Sequence, residues 1–116
     1  MKSLISRVGF ALQGWSYFFK AEANGKIQAA VAVAVVLAGF YFGISPAEWL
    51  WVLLCIGMVI ALEMVNTAIE TLANRLHPEK HADIKIVKDV AAGAVLWAAV
   101  VSVVVGLVIF WPRVFA

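Results

Sequence analysis

Charged residues are scarce in this sequence. Only 14% of its 116 residues are Asp, Glu, Lys or Arg, whereas 65% are hydrophobic. A soluble domain of this length cannot hide so much apolar surface, because small domains leave a large share of their surface in water. A lipid bilayer is therefore the expected environment. The net charge of +2 is too small to indicate a nucleic-acid partner.

Cysteine is nearly absent as well. Cys55 is the single one, so a disulfide framework or a cysteine metal cluster is excluded within one chain. The common nucleotide-binding loops are missing too, since the sequence has neither G-x-x-x-x-G-K-[ST] nor the Gly-rich loop of protein kinases. The N-terminal stretch lacks the long apolar core and the cleavage pattern of a signal peptide, and we expect no such peptide.

Long apolar runs, in contrast, are plentiful. Three stretches, 27–44, 49–72 and 90–111, reach the length of about 20 residues with which a helix crosses the ~30 Å hydrocarbon core. Residues 1–25 come before them and mix basic residues with apolar ones at helical spacing, which is typical of an amphipathic helix lying in the membrane interface. We predict an all-α integral membrane protein with one domain over 1–116, comprising an interfacial helix and three transmembrane helices.

The basic residues are distributed unevenly along the chain. Eight of the nine Lys and Arg residues precede the first span or lie between the second and third spans, and only Arg113 follows the third. The positive-inside rule therefore places the N-terminus and residues 73–89 in the cytoplasm, and the 45–48 turn and the C-terminus outside. Trp49 and Trp111 fit an aromatic belt at the outer interface.

One helical face of the second span is polar. Glu63 lies 14 residues after Trp49, or about 21 Å along a helix, whereas Glu70 lies about 31 Å along, at the inner boundary of the bilayer. At 100° per residue, an arc of about 100° contains Glu63, Asn66, Thr67, Glu70 and Asn74. We call this set the polar stripe, and we expect it to face protein or water rather than lipid.

The polar stripe has a structural and a functional explanation. Asn66 or Thr67 alone would serve as a hydrogen-bonding contact to a neighbouring helix. Two carboxylates on one face favour a function, because a helix contact does not need a charge that must lose its water. Glu63 would be the proton carrier of a small proton-coupled transporter, or the stripe would act in an enzyme. A non-catalytic assembly factor is the third alternative.

The enzyme hypothesis rests on charged residues expected at the inner interface beside the stripe. Glu22 ends the interfacial stretch, and Lys88 and Asp89 lie at the start of the third span. Carboxylates from separate segments suit Mg²⁺, which takes oxygen ligands and is often bound together with phosphates. A lysine offers a point charge to a phosphate, and the deeper Glu63 is placed to accept the proton of a buried hydroxyl. This combination indicates phosphoryl transfer to a membrane-embedded alcohol.

Two strings of the sequence, ALEMVNTAIE at 61–70 and KDVAAGAV at 88–95, closely resemble the prokaryotic diacylglycerol kinase family of small membrane-integral lipid kinases. The stretches at 21–26 and 77–81 and the three-span layout add to a resemblance that covers nearly the whole chain. It implies MgATP as phosphoryl donor. It also implies a homotrimer in the bacterial inner membrane, with active sites between subunits at the cytoplasmic side.

The resemblance also implies roles for individual residues. Glu63 matches the catalytic base of the family, and Glu22 and Glu70 match its metal-binding carboxylates. Polar positions around the nucleotide phosphates and the reacting hydroxyl correspond to Asn66, Lys88 and Asp89, and a stretch near the nucleotide corresponds to Glu79, Lys80 and His81.

The chain departs from the family pattern at Asn74, where the family usually has an aspartate, so the resemblance supports no anionic role there. The strings LEMVNTAIE, KDVAAGAV and GLVIFWPR are more like the undecaprenol branch of the family than the diacylglycerol branch. We expect undecaprenol as the lipid alcohol, with diacylglycerol as the alternative. The triplet Asn24-Gly25-Lys26 predicts a turn.

Overall fold

The computed structural model describes residues 3–76 and 81–115. In these two ranges the regular structure consists of four α-helices, which are α1 (Leu4–Ala21), α2 (Ala23–Phe42), α3 (Pro46–Leu76) and α4 (Ala82–Phe115). Helices α2, α3 and α4 are each long and apolar enough to cross a membrane. The all-helical class and the three candidate membrane spans are therefore confirmed.

The helices differ in length from the apolar stretches that predict them. Helix α3 begins three residues before and ends four residues after the predicted span 49–72, and α4 begins eight residues before and ends four residues after 90–111. With 31 and 34 residues, α3 and α4 are about 46 and 51 Å long. The bilayer limits the apolar stretch but not the helix, since adding polar residues to an existing helix costs little.

A single residue, Glu22, separates α1 from α2. Its backbone is extended, with φ −89° and ψ 132°. Gly25 is buried in the first turn of α2, where a Cβ atom would lie 1.9 Å from the carbonyl oxygen of Phe18. The turn predicted at Asn24-Gly25-Lys26 is wrong, because these residues are helical. Glycine is required there by the close approach of α1 and not by a turn.

The connection between α2 and α3 has recognisable signals at both helix ends. Gly43, with φ 61°, ends α2 in the left-handed conformation, and its N–H donates to the carbonyl of Phe40. Ser45 precedes Pro46 at the first position of α3, and its Oγ accepts a hydrogen bond from the N–H of Glu48. The Glu48 carboxylate accepts a hydrogen bond from the N–H of Ser45 in return. This reciprocal pair is a capping box.

The buried apolar residues at this end of the molecule join three elements. Ile44, Val52 and Ile109 form one core cluster, which Trp49 and other half-buried side chains surround. The ring of Trp49 packs on the α2 backbone at Gly39, whose added Cβ would lie 2.6 Å from it. The sequence predicts Trp49 as part of an interfacial belt, whereas its ring helps to fix the distance between α2 and α3.

Candidate active site

The polar stripe lies along the second half of α3. Glu63 and Asn66 are buried, with only 9% and 7% of their surfaces exposed, and Glu70 one turn later is half-buried. Asn74 at the end of the stripe is exposed. Because α3 is one continuous helix, the residues keep the angular positions that the sequence predicts. The expected orientation of the stripe towards protein at its deep end is confirmed.

Two buried oxygen atoms of the stripe have no hydrogen-bond partner among the described residues. They are Oε2 of Glu63 and Oδ1 of Asn66. The Asn66 amide nitrogen, in contrast, donates to Oε1 of Glu70 at 3.4 Å. Buried polar atoms almost always have a partner in folded proteins. Both orphaned atoms are acceptors, so a group that fits them must supply a hydrogen or a positive charge.

Lys88 on α4 reaches the inner end of the stripe. Its Nζ donates a hydrogen bond to Oδ1 of Asn74 on α3 at 2.8 Å. The sequence predicts Lys88 near this place, but it gives no partner for it. The signal that could have found Asn74 is its position within the same arc as Glu63 and Glu70. The structure therefore brings a cation to the aqueous end of the polar stripe.

Asp89 faces a different partner. It is exposed, and its carboxylate pairs with the Lys85 ammonium one turn earlier on the same helix. Exposed pairs of this kind contribute little to stability. The structure thus joins Lys88, but not Asp89, to the stripe by a direct contact.

Glu22 lies at the junction of α1 and α2, where its Oε1 accepts a hydrogen bond from the Tyr17 hydroxyl at 3.1 Å. This bond to a carboxylate raises the pKa of Tyr17 above its ordinary value. The amphipathic pattern of residues 1–25 does not predict this contact. In this structure Glu22 is hydrogen-bonded to Tyr17, and Glu70 is hydrogen-bonded to Asn66.

The described carboxylates near the polar stripe offer few donor atoms for Mg²⁺. Among residues 3–76 and 81–115, no three His, Cys, Asp or Glu side chains come together as a metal site. Mg²⁺ usually needs only one or two carboxylates, because phosphates and water complete its shell. Glu70 is half-buried beside the orphaned oxygen of Asn66. The oxygen donors present therefore fit a magnesium ion that is shared with a phosphate.

Of the three remaining predicted nucleotide residues, His81 directly precedes α4. Glu79 and Lys80 lie outside the described residues. The Nδ1 atom of His81 accepts a hydrogen bond from the N–H of Asp83 at 3.2 Å, and its carbonyl accepts from Lys85. His81 therefore caps the N-terminus of α4, and a contact with a nucleotide stays a prediction.

An apolar cavity of about 350 Å³ lies between α2, α3 and α4. Gln28 and Val35 line it on α2, Val59 on α3, and Ser102 and Phe110 on α4. Val59 comes about one helical turn before Glu63. The deep end of the polar stripe is thus next to an apolar space within the membrane-spanning part of the molecule.

Comparison with known proteins gives consistent matches. Residues 9–110 match the family described as prokaryotic diacylglycerol kinase. The chain is 42% identical to the undecaprenol kinase of Bacillus subtilis over 94 residues, which cover 81% of this chain and 76% of that protein.

Two relatives named diacylglycerol kinase are less similar. The protein from Synechocystis is 32% identical over 95% of this chain, which spans 63% of that relative's length. The protein from Haemophilus influenzae is 28% identical over 93% of this chain and 92% of its own length. The family match covers most of the sequence, and each of these relatives is named as a lipid kinase. The chain therefore belongs to the prokaryotic diacylglycerol kinase family and is a lipid kinase.

Proposed function

We propose that this lipid kinase phosphorylates undecaprenol, transferring the γ-phosphoryl group of ATP to the lipid hydroxyl. The observation that carries the enzymatic part is the buried Glu63, whose Oε2 has no partner among the described residues. The choice of lipid is supported by 42% identity to an undecaprenol kinase, against 22–32% for relatives named diacylglycerol kinase. The apolar cavity one turn away from Glu63 also suits a lipid acceptor.

Glu63 acts on the acceptor hydroxyl in this proposal. The hydroxyl oxygen forms a bond to the γ-phosphorus, while the bond between that phosphorus and the oxygen bridging to ADP breaks. The hydroxyl proton goes to Oε2 of Glu63. A positioned carboxylate of this kind contributes about 10²- to 10⁴-fold to a rate. Asn66 orients Glu70 through the hydrogen bond that its Nδ2 donates, and its Oδ1 stays available as an acceptor.

Glu22 and Glu70 hold Mg²⁺ in this proposal, together with the phosphates of ATP. There the ion would supply positive charge to offset the negative charge that develops during phosphoryl transfer. Lys88 adds a positive charge beside the transferred group, and such electrostatic stabilisation supplies most of the catalysis in phosphoryl transfer. We place Asp89, Glu79, Lys80 and His81 around the nucleotide.

We further propose that the enzyme is a homotrimer in the bacterial inner membrane, with the N-terminus and the active site on the cytoplasmic side. The distribution of Lys and Arg supports this orientation. The resemblance to the family implies the homotrimer and a site shared between neighbouring subunits.

The test is a kinase assay with purified protein in mixed micelles. Labelled ATP and Mg²⁺ are combined with undecaprenol or with diacylglycerol at equal mole fractions, and the phosphorylated lipid is separated and counted. We expect kcat/KM to favour undecaprenol by at least about tenfold, or roughly 1.4 kcal/mol. A preference for diacylglycerol would overturn the proposed substrate and leave the family assignment intact.

A further inference from the structure

We propose that Asn74 is a positioning residue, which holds the Lys88 ammonium at the phosphate end of the polar stripe. The inference rests on the proposed role of Lys88 in phosphoryl transfer. It stands on one contact between two helices, the 2.8 Å hydrogen bond from Lys88 Nζ to Asn74 Oδ1. Neither the sequence pattern nor the family resemblance assigns Asn74 a role in this chain.

The hydrogen bond between Lys88 and Asn74 lies close to Glu70, the proposed metal ligand. Asn74 lies one helical turn after Glu70 and on the same face of α3, because four residues rotate the helix by about 40° beyond a full turn. Lys88 is in the second turn of α4. The hydrogen bond therefore places the cation one turn from Glu70, where the proposed nucleotide phosphates would meet the stripe.

A lysine needs such a partner more than an arginine would. Its ammonium is a point charge at the end of four flexible carbons, so the charge has no fixed location without an acceptor. Two of the three ammonium protons remain available when one is donated to Asn74. An acceptor on a neighbouring helix fixes the charge and leaves donors for a phosphate.

The neutral amide also leaves the charge of Lys88 uncompensated. A carboxylate at position 74 would form an ion pair with the ammonium and cancel part of its field. Asp89, the nearest acid in the sequence, is already paired with Lys85. Asn74 thus fixes the position of Lys88 without neutralising it, which favours attraction of a phosphate dianion.

The experiment is a double-mutant cycle on the full-length enzyme, assayed with MgATP and whichever lipid the parent accepts. Asn74→Leu removes the acceptor while keeping the size of the side chain, and Lys88→Met removes the cation. We expect Asn74→Leu to lower kcat by about tenfold or more, the cost of losing a charged hydrogen bond, with the KM for lipid unchanged. In the Lys88→Met background, Asn74→Leu should not lower kcat any further.

Two further variants separate positioning from a structural role. Asn74→Asp keeps an acceptor at the same place and should recover part of the kcat lost by Asn74→Leu, the remainder being lost because the carboxylate cancels part of the field of Lys88. Thr71→Ala is the matched control, because Thr71 is exposed on the same helix and donates only to the Thr67 carbonyl. It should behave like the parent. Thermal unfolding of all variants in detergent checks that each one folds.

The proposal is overturned if Asn74→Leu loses as much activity without Lys88 as with it, or if it loses none. It is also overturned if Asn74→Asp is as defective as Asn74→Leu. These results would leave the proposed function standing, because the parent remains active. A parent that phosphorylates neither undecaprenol nor diacylglycerol would instead remove the proposed function, and the role of Asn74 with it.

Discussion

The polar side chains at the two ends of the helical bundle differ in whether their oxygen atoms have hydrogen-bond partners. At the end that contains the α2–α3 connection, which we call the outer end after its proposed orientation, Glu48 accepts hydrogen bonds from both guanidinium NH groups of Arg113, at 2.6 and 2.9 Å, and from the N–H of Ser45. Arg113 also donates to the carbonyl of Ile109. At the inner end, Glu63 and Asn66 each keep a buried oxygen without a partner among the described residues.

This difference supports the proposal that Glu63 and Asn66 serve a ligand, whereas the polar groups at the outer end serve the fold. A closed network such as Ser45, Glu48 and Arg113 satisfies its own donors and acceptors, and so it stabilises the structure. A buried acceptor without a donor weakens the fold and is kept where a substrate supplies the donor. Substitutions at the two ends should therefore affect different properties of the protein.

The largest expected effect is at Glu63. Glu63→Gln keeps the shape of the side chain but cannot accept the hydroxyl proton, so kcat should fall by at least about 10²-fold. Unfolding temperature and assembly in detergent should stay close to those of the parent. The lipid kinase assay measures kcat, thermal unfolding in detergent measures stability, and size-exclusion chromatography measures assembly. If Glu63→Gln lost its assembly but kept a normal specific activity, Glu63 would have a structural role and not a catalytic one.

A smaller effect is expected at Glu70. Glu70→Gln removes a charged oxygen ligand, so the Mg²⁺ concentration for half-maximal activity should rise by about tenfold. The Mg²⁺ titration at saturating ATP measures this shift. Glu48→Gln, an acid-to-amide change at the outer end, is the matched control and should leave the titration unchanged. Identical titrations of parent and Glu70→Gln would argue against a ligand role.

Substitutions at the outer end should change the stability of the protein but not its activity. Arg113→Met removes the charged partner of Glu48 while keeping the apolar part of the side chain, so the midpoint of thermal unfolding in detergent should fall by roughly 2–5 °C. The kcat of the folded enzyme should stay within about twofold, because the side chain lies far from the polar stripe. A large loss of kcat at an unchanged Tm would show that the outer end also acts in the reaction.

The smallest effect is expected at Tyr17. Tyr17→Phe removes the hydrogen bond to Glu22 but keeps the ring, so Glu22 loses one contact that orients it. The Mg²⁺ requirement should rise by about two- to threefold, in the same direction as for Glu70→Gln. Phe19→Leu, a change of similar size on the same helix, provides the comparison. Equal titrations for Tyr17→Phe and the parent would contradict an orienting role of the hydroxyl.

Hydropathy and helical spacing predict the features that depend on neighbouring residues in the chain. The three spans follow from apolar runs, and the face of Glu63, Asn66 and Glu70 follows from 3.6 residues per turn. Both predictions hold because α3 is an uninterrupted helix. The polar extensions of α3 and α4 are missed, since a hydropathy pattern ends where the apolar residues end.

Contacts between distant residues could not be predicted in this way. Lys88 and Asn74 are 14 residues apart, and Arg113 and Glu48 are 65 residues apart, so both pairs depend on how α3 and α4 pack. Gly25 is misread because an Asn-Gly pair is typical of turns, whereas here the glycine makes room for the Phe18 carbonyl. Tertiary packing overrides the local preference in each case.

The capping box and Glu63 lie on the same helix, and this gives the enzyme a fixed internal length. Glu48 at the outer surface is 15 residues, or about 22 Å, from Glu63 along uninterrupted α3. If the outer end stays at its interface, the catalytic carboxylate lies at a set distance from it, whatever the thickness of the surrounding bilayer. A thinner membrane would bring the opposite surface and its lipid hydroxyls closer to Glu63, and a thicker one would move them away. If Glu63 acts on the lipid hydroxyl as we propose, activity should therefore depend on the thickness of the membrane.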